Sequence, residues 1–282
     1  MSAWQVEVAG TLTTVQDLGR PGHAHLGVPR AGALDAPAAA LANRLVGNDA
    51  SAAVLETTLG GLAVRAGGGR WVAVTGAECR VLVDGEARAH GRAEWVPSGA
   101  LLSLGTPTAG VRSYLAVGGG IAVDPVLGSR STDTLAWVGP PRVVDGAALP
   151  VGQPGADPRP LDTPRPPRPG RLRLTAGPRQ DWFAARALDV LAGAPYRVRA
   201  ESNRIGLRLE GPGLERVRDG ELASEGMVLG AVQVPPDGQP VVFLADHPPT
   251  GGYPVIAVVH AGDLWQCAQL RPGDEVRFSP RP

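Results

Sequence analysis

The 282-residue chain contains no lysine, and all 27 of its lysine-plus-arginine positions are arginine. It therefore lacks a P-loop lysine, a lysine for Schiff-base chemistry and a lysine to which biotin could be attached. If ATP or biotin takes part in the biology of this protein, we expect another polypeptide to carry or bind it.

Cysteines and long apolar runs are also scarce. Cys79 and Cys267 are too few for a disulfide framework or a cysteine metal site. No apolar run approaches the length of a membrane span, and the first residues show no basic region followed by an apolar stretch. From this we expect a cytoplasmic protein. The 27 acidic residues balance the 27 basic ones, so charge gives no indication of nucleic acid or an anionic membrane as partner.

Glycine and proline are abundant, at 39 and 28 residues, and the apolar runs between them are short. This pattern predicts a mainly β protein of many short strands joined by tight turns. We predict an N-terminal β-rich part over residues 1–150 with one packing helix. A proline-rich linker over 151–170 follows, and then a C-terminal β part over 171–282.

Three helices are predicted. Asp35 is an N-cap candidate with proline in the first turn, and Gly47-Asn48 is the stop signal. In this helix Asn43 and Arg44 are expected to face solvent. The others are predicted over Asp181–Leu191 and around 263–270.

The stretch from Ser224 to Pro254 holds three apolar runs, at 227–229, 231–234 and 241–245, which predict buried strands. Pro235 to Gly238 predicts a tight turn between them. Polar residues lie at the ends of these runs, where they either form a site or are ordinary turn and edge residues. Asp84-Gly85 predicts a two-residue hairpin.

Two polar loops are further candidates. The loop from Gln16 to His25 is either the wall of a site or a surface turn in which Asp17 and Arg20 pair. The loop from Gly128 to Asp133 has one arginine and three hydroxyls, so it either holds a carboxylate or phosphate or is solvated.

Named chemical motifs are not found. The two histidines of the first loop, at 23 and 25, have no third ligand at metal spacing, so we expect no metal site. Gly118 to Gly120 lacks the strand and helix of a dinucleotide fingerprint and predicts a turn. There is no G-x-S-x-G elbow.

Several longer segments together resemble one family, that of biotin-dependent carboxyltransferase and allophanate hydrolase subunit 2, and most closely its member that is the C subunit of 5-oxoprolinase. The segments read T-T-V-Q-D-L-G-R-P-G from Thr13, L-A-N-R-L-V-G-N from Leu41, V-T-G-A from Val74, L-A-V-G-G-G-I from Leu115, G-S-R-S-T-D from Gly128, S-N-R-I-G-L-R-L-E-G-P from Ser202, S-E-G-M-V-L-G-A-V-Q-V-P-P-D-G-Q-P from Ser224 and T-G-G-Y-P from Thr250.

The resemblance implies a cyclophilin-like β-barrel architecture with two barrel-like subdomains. It implies two partners, an allophanate hydrolase subunit 1-type protein (the B subunit of 5-oxoprolinase) and the A subunit of 5-oxoprolinase. The implied activity of the complex is ATP-dependent opening of 5-oxo-L-proline to L-glutamate, with ATP at a partner subunit. Two alternatives stay open. One is the carboxyltransferase component of a biotin-dependent urea carboxylase or allophanate hydrolase-type system, with biotin on a partner; the other is a non-catalytic regulatory subunit.

The chain departs from the family pattern at two places. A lysine usually follows G-G-Y-P, and this chain has Val255. A glutamine and a threonine usually precede Thr250, where this chain has His247-Pro248-Pro249. Both departures lie at one edge of the predicted site, so they bear on whether the family's chemistry is retained there.

Opening a cyclic amide requires a bound substrate, an attacking water and stabilisation of the developing oxyanion. Arginine suits a substrate carboxylate because its donors form paired hydrogen bonds. We predict that the loop from Gln16 to His25, the segment from Ser202 to Arg204, and the strand ends at Gln233 and Asp246 line one cleft, with Tyr253 near its rim. The candidates are Arg20, Arg130 and Arg204 for the carboxylate, Asp246 and Glu225 for acid/base catalysis, and Asn203, Gln233 and Tyr253 for binding and positioning the substrate.

Overall fold

The computed structural model of the protein describes residues 2–155, 157–158, 170–218, 220 and 222–280. Within these residues the chain is mainly β, with a closed barrel and three short α-helices, so the predicted fold class is confirmed. The chain divides into two compact units. The first contains the described residues of Met1–Arg20, Ala31–Asp133 and Trp137–Pro166, and the second those of Pro21–Arg30, Thr134–Ala136 and Pro167–Pro282.

The first unit is built from two antiparallel sheets that share a core. The strand order is β11-β1-β4-β9-β6-β7 in one sheet and β2-β3-β10-β5-β8 in the other. Apolar side chains from both sheets, among them Trp4, Leu55 and Leu102, form one buried cluster. The elements are β1 (Ser2–Ala9), β2 (Leu12–Gln16), α1 (Ala36–Leu45), β3 (Val54–Thr58), β4 (Leu62–Arg65), β5 (Arg70–Gly76), β6 (Val81–Val83), β7 (Glu86–Arg88), β8 (Ala93–Val96), β9 (Leu101–Leu104), β10 (Arg112–Val117) and β11 (Ala148–Val151).

Helix α1 packs on β3, β5 and β10 and begins where the sequence predicted, with the Asp35 side chain accepting a first-turn N–H. The prediction that Asn43 faces solvent is wrong, because this side chain is 1% exposed. Its Nδ2 donates to the Ala52 carbonyl at 2.8 Å and its Oδ1 accepts from Asn48 Nδ2 at 3.1 Å. Asn43 therefore ties the end of the helix to the loop that follows it.

The predicted Asp84-Gly85 hairpin is confirmed and joins β6 to β7. Both turn residues have positive φ, 49° and 83°, and Val83 pairs directly with Glu86. These are the backbone angles that a two-residue hairpin requires.

The second unit is built around a closed barrel with strand order β12-β19-β16-β17-β14-β13-β20, closed by parallel pairing of β20 with β12. Apolar residues of at most 1% exposure, including Leu209, Val232 and Phe278, come from strands all around it. A separate two-stranded ribbon pairs β15 with β18. The elements are β12 (Leu172–Ala176), α2 (Ala187–Gly193), β13 (Pro195–Val198), β14 (Gly206–Glu210), β15 (Glu225–Gly226), β16 (Ala231–Gln233), β17 (Val241–Phe243), β18 (Thr250–Gly251), β19 (Val255–Val259), α3 (Leu264–Cys267) and β20 (Glu275–Pro280).

Two predicted elements of this unit differ in the structure. The strand predicted over 227–229 does not form; strand pairing instead comes two residues earlier, at β15. The helix predicted over 181–191 is split into a 3-10 turn at Gln180–Trp182 and α2. The split occurs at Phe183, which is extended (φ −118°, ψ 156°) and pairs with Arg216.

The proline-rich stretch predicted as a linker falls mostly at residues 159–169, outside the described part of the chain. Pro21–Arg30 and Thr134–Ala136, which the sequence prediction placed in the N-terminal part, group with the second unit. None of the helices in the described ranges has the length and apolar character that crossing a bilayer requires.

Candidate functional site

Arg204 and Asp246 form a buried ion pair in the second unit. Arg204 follows β13, Asp246 follows β17, and their side chains are 1% and 0% exposed. The guanidinium is bidentate, with Nε donating to Oδ2 at 2.9 Å and Nη2 to Oδ1 at 3.0 Å. Thr134 adds two more hydrogen bonds to Oδ2, from its backbone N–H at 2.9 Å and its hydroxyl at 2.7 Å. This carboxylate thus fixes three separate chain segments.

His247 lies next to this pair and is also buried, at 6% exposure. Its ring is stacked on Phe243, with centroids 5.7 Å apart and planes 4° from parallel. Burial lowers the pKa of His247, and the charge of Arg30 adds to the effect, while the Pro248 carbonyl and Asp246 oppose it. The net effect favours the neutral form of the imidazole.

Glu225 begins the β15–β18 ribbon and forms a second ion pair, with Arg179. Arg179 Nε donates to Glu225 Oε2 at 3.0 Å and Nη2 contacts Oε1. Both side chains keep partial exposure, 27% for the glutamate and 35% for the arginine. Unlike Asp246, Glu225 is a carboxylate that a ligand can reach.

Gln233 connects the end of β16 to the loop that follows the ribbon. Its Nε2 donates to the Tyr253 carbonyl at 3.1 Å, and a Cβ added to Gly251 would lie only 2.8 Å from the same nitrogen. A side chain at 251 would therefore displace the Gln233 amide from this position. The Tyr253 side chain is 38% exposed, as expected of a residue at a rim.

A small apolar cluster contacts His247 at one residue and approaches the β15–β18 ribbon at another. Phe243, on which His247 stacks, packs with Met227, Ala231 and Val255. Met227 lies 3.3 Å from the position of a Gly251 Cβ, which is also close to Gln233 Nε2. The cluster thus borders both Asp246-His247 and the Gln233 region. Val255, where the family pattern has lysine, is 5% exposed and belongs to this cluster.

The Asn203 side chain makes hydrogen bonds within its own loop. Its Oδ1 accepts from the backbone N–H groups of Ile205 at 2.8 Å and Gly206 at 3.3 Å. This side-chain turn orients the residues around Arg204 before β14 begins.

In the first unit, the loop from Gly128 to Asp133 is largely buried, with Ser129 and residues 131–133 at most 1% exposed, and it holds the chain's own Asp17. The hydroxyls of Ser129 and Ser131 each donate to Asp17 Oδ1 at 2.6 Å, and the Arg130 N–H donates to Oδ2 at 2.6 Å. The predicted carboxylate-binding chemistry is therefore used within the fold.

The predicted arginines of the first unit donate to backbone carbonyls. Arg20, 2% exposed, contacts the Ser131 carbonyl and donates through Nε to Val126 at 3.4 Å. Arg130 Nε donates to the Val123 carbonyl at 2.6 Å. Both side chains hold loops in place. Whether they meet the second-unit residues in one cleft stays a prediction.

Within the second unit, Glu225, Gln233 and Tyr253 come together around the ribbon. Arg204 and Asp246 form the buried pair next to His247, whose ring stacks on Phe243 of the apolar cluster. The sequence interpretation missed Arg179 and Thr134 as their partners. A signal existed for Thr134, since it directly follows the G-S-R-S-T-D segment. No group of three potential metal-binding side chains is found in the described ranges.

Comparison with known proteins gives a consistent result. Residues 26–280 match the family described as carboxyltransferase domain, subdomain A and B. The chain is 42% identical to the C subunit of 5-oxoprolinase from Escherichia coli (strain K12), over 96% of this chain and 88% of that protein. It is 32% identical to urea amidolyase of Saccharomyces cerevisiae, over 99% of this chain but 17% of that protein.

The solved structure of TTHA0988 superimposes with a TM-score of 0.89 at 40% identity, covering 99% of this chain. This chain spans 56% of TTHA0988, so that relative has a substantial further part. The family match extends over both compact units and includes every candidate site residue described above except Arg20. The protein therefore belongs to the family of carboxyltransferase domains with subdomains A and B.

Proposed function

We propose that this protein is a subunit of an ATP-dependent complex that opens 5-oxo-L-proline to L-glutamate. The observation that carries the proposal is the end-to-end similarity to the C subunit of 5-oxoprolinase, at 42% identity over 96% of this chain and 88% of the relative. The similarity to urea amidolyase covers as much of this chain but 17% of the relative.

We assign the activation by ATP and the opening of the lactam ring to different subunits of the complex. Hydrolysis of the lactam joins a water oxygen to the amide carbon, breaks the carbon–nitrogen bond and delivers a proton to the nitrogen. An unactivated amide resists this attack, and ATP supplies the activation. Because the chain has no lysine, it offers neither a P-loop lysine nor a biotin attachment point, so we assign ATP, and biotin if it is used, to a partner. We place the complex in the cytoplasm.

We assign the acid/base role first to Glu225, which is reachable and oriented by Arg179. Asp246 is 0% exposed and bonded to Arg204 and Thr134, so its burial supports a positioning role for the pair. Gln233 and Tyr253 lie beside Glu225 across the ribbon and would bind the substrate.

The proposed partners are an allophanate hydrolase subunit 1-type protein (the B subunit of 5-oxoprolinase) and the A subunit of 5-oxoprolinase. The name of the E. coli relative describes it as one subunit of an enzyme, and TTHA0988 contains a further part beyond the region this chain matches. Both observations support a protein that works in an assembly.

The test is reconstitution of the three subunits with ATP and 5-oxo-L-proline, following release of L-glutamate. We expect release only when this chain is present, and a loss of at least about tenfold in kcat for Glu225→Gln. A Glu201→Gln variant is the control, because Glu201 is exposed and lies on a different loop. Full activity in the absence of this chain would rule the proposal out.

A second candidate is carboxyl transfer from a biotin carrier to a urea-like amide. The family description and the urea amidolyase relatives favour it. Transfer of labelled bicarbonate to urea, given a biotin carrier and its carboxylase, would support it.

A third candidate, a non-catalytic regulatory subunit, is favoured by Val255. It buries an apolar side chain where the family pattern has lysine. Assembly with the partner, without ring opening or carboxyl transfer, would support this role.

A further inference from the structure

We propose that His247 binds a small amide, with its Nε2 atom accepting a hydrogen bond from the amide N–H. His247 begins the segment His247-Pro248-Pro249, which leads from the buried Asp246 into β18 of the ribbon. The inference adds a substrate-binding residue to the proposed function, and it rests on that function only in naming 5-oxo-L-proline as the amide.

The segment itself sets the tautomer of the imidazole. His247 Nδ1 lies 2.8 Å from the carbonyl oxygen of Pro248. A carbonyl oxygen only accepts hydrogen bonds, so Nδ1 carries the proton and donates it. In a neutral imidazole the other ring nitrogen then has a free lone pair, and Nε2 is the acceptor.

This lone pair is available to a ligand. Nε2 makes no hydrogen bond to any residue that the structure describes, and it is not one of the sealed, unpartnered atoms in that part of the chain. The small exposure that His247 keeps, 6%, therefore includes Nε2. His90 of the first unit provides the contrast, because its Nε2 is sealed from solvent and unpartnered.

The imidazole is also held in place before a ligand arrives. Its ring stacks on Phe243, with the two planes 4° from parallel, and the two prolines that follow have restricted backbone angles. The Met227 N–H donates to the Pro249 carbonyl at 2.8 Å, which ties the segment to the strand that begins with Glu225. A preorganised acceptor loses little conformational entropy when it binds.

The charges around the ring favour an anionic amide. Burial lowers the pKa of His247 most, and Arg30 adds to that effect, so its charge is close enough to act on the ring. Arg30 is exposed and makes no hydrogen bond or ion pair with a described residue. Asp246 also acts on the ring, but Arg204 balances its charge. 5-Oxo-L-proline fits this excess of positive charge, because its N–H and its carboxylate are on neighbouring atoms.

The experiment is isothermal titration of the full-length chain with 5-oxo-L-proline and with its N-methyl derivative, which has no N–H. We expect the wild-type chain to bind 5-oxo-L-proline about tenfold or more tightly than the derivative. His247→Phe keeps a ring against Phe243 but has no acceptor, so it should lose about tenfold in affinity for 5-oxo-L-proline and bind both compounds alike. His247→Gln, whose side chain ends in an acceptor oxygen, should recover part of the affinity.

The pH dependence gives a second readout. Protonation turns Nε2 into a donor, so the ligand binds only the neutral imidazole, and affinity should fall as the pH drops below about 6.5. His247→Gln should not show this fall. The matched control is His90→Phe, which removes another histidine of lowered pKa whose Nε2 is sealed, and it should bind as the wild type does at every pH.

The proposal is overturned if the wild-type chain does not bind 5-oxo-L-proline, if it binds the N-methyl derivative equally well, or if His247→Phe binds normally. Thermal unfolding of each variant shows that its fold is kept. A reconstituted complex that opens 5-oxo-L-proline with an unchanged KM in His247→Phe would refute the role of His247 and leave the proposed function standing. His247-dependent binding in a complex that opens no lactam would refute the function and leave the binding residue.

Discussion

Replacing Asp246 by asparagine should destabilise the second unit strongly. The substitution keeps the shape of the side chain but removes the negative charge opposite Arg204, and both side chains are at most 1% exposed. Breaking a buried pair from one side leaves an uncompensated charge and costs about 3–5 kcal/mol. For a cooperative unit of this size, the midpoint of thermal unfolding should then fall by roughly 6–20 °C.

The assay is urea and thermal unfolding of the full-length chain, with two companions. Glu275→Gln removes the carboxylate of the exposed pair with Arg277, where the N–O distance is 2.6 Å and both side chains are over 40% exposed, and should cost less than about 1 kcal/mol. The double variant Arg204→Met with Asp246→Leu removes both charges and should recover much of the loss.

A result in which Asp246→Asn and Glu275→Gln lose equal stability would refute the reasoning from burial. A second outcome bears on function. If Asp246→Asn keeps its fold but loses all ring-opening activity in the reconstituted complex, the carboxylate acts in the chemistry, and the positioning role that we assign to it fails.

Three further predictions concern single residues. Burial lowers the pKa of His247, so as the pH falls below about 6.5 this histidine takes up a proton more readily in the unfolded chain than in the folded one. The free energy of unfolding should therefore decrease between pH 7.5 and 5.5, and His247→Phe should reduce that decrease. An unchanged pH dependence in the variant would contradict this. Gly85→Ala should lower the free energy of unfolding by about 1–2 kcal/mol because of backbone strain alone, since φ is 83° and an added Cβ meets no atom within 4 Å. The control is Gly170→Ala, where an added Cβ also meets no atom and φ is not left-handed. A similar loss of stability in both variants would argue against backbone strain as the cause. Val255→Lys should unfold at least about 2 kcal/mol more easily than Val255→Met, because the position is 5% exposed; equal stability of the two would show that lysine fits there.

Local features of the fold were predictable from the sequence. Asp84-Gly85 specifies its hairpin through backbone angles that few residues adopt, and Asp35 begins α1 through a hydrogen bond within the first turn. Asn43 was not predictable in the same way. Its burial depends on the Ala52 carbonyl beyond the helix, and helical periodicity says nothing about that partner.

The candidate site was predictable in its residue types but less in its geometry. The loop from Gly128 to Asp133 was identified as a possible carboxylate holder, yet its carboxylate, Asp17, lies 112 residues from Ser129. Thr134 and Asp246 are likewise separated by 112 positions. Such pairings depend on how the whole chain folds, and a prediction based on spacing and turn chemistry does not reach them.

The route of the chain between its two units has consequences for how the protein is made. The chain enters the second unit at Pro21 and again at Thr134, and each time returns to the first within ten residues. During synthesis Thr134 emerges long before Asp246. The hydrogen bonds between the two residues therefore cannot form until the barrel strands up to Asp246 have been made. A fragment beginning after the proline-rich stretch would lack Thr134 and leave Asp246 with two hydrogen bonds fewer. The second unit therefore contains segments from the N-terminal part of the sequence, and cutting the chain at one position does not release each unit with all of its residues.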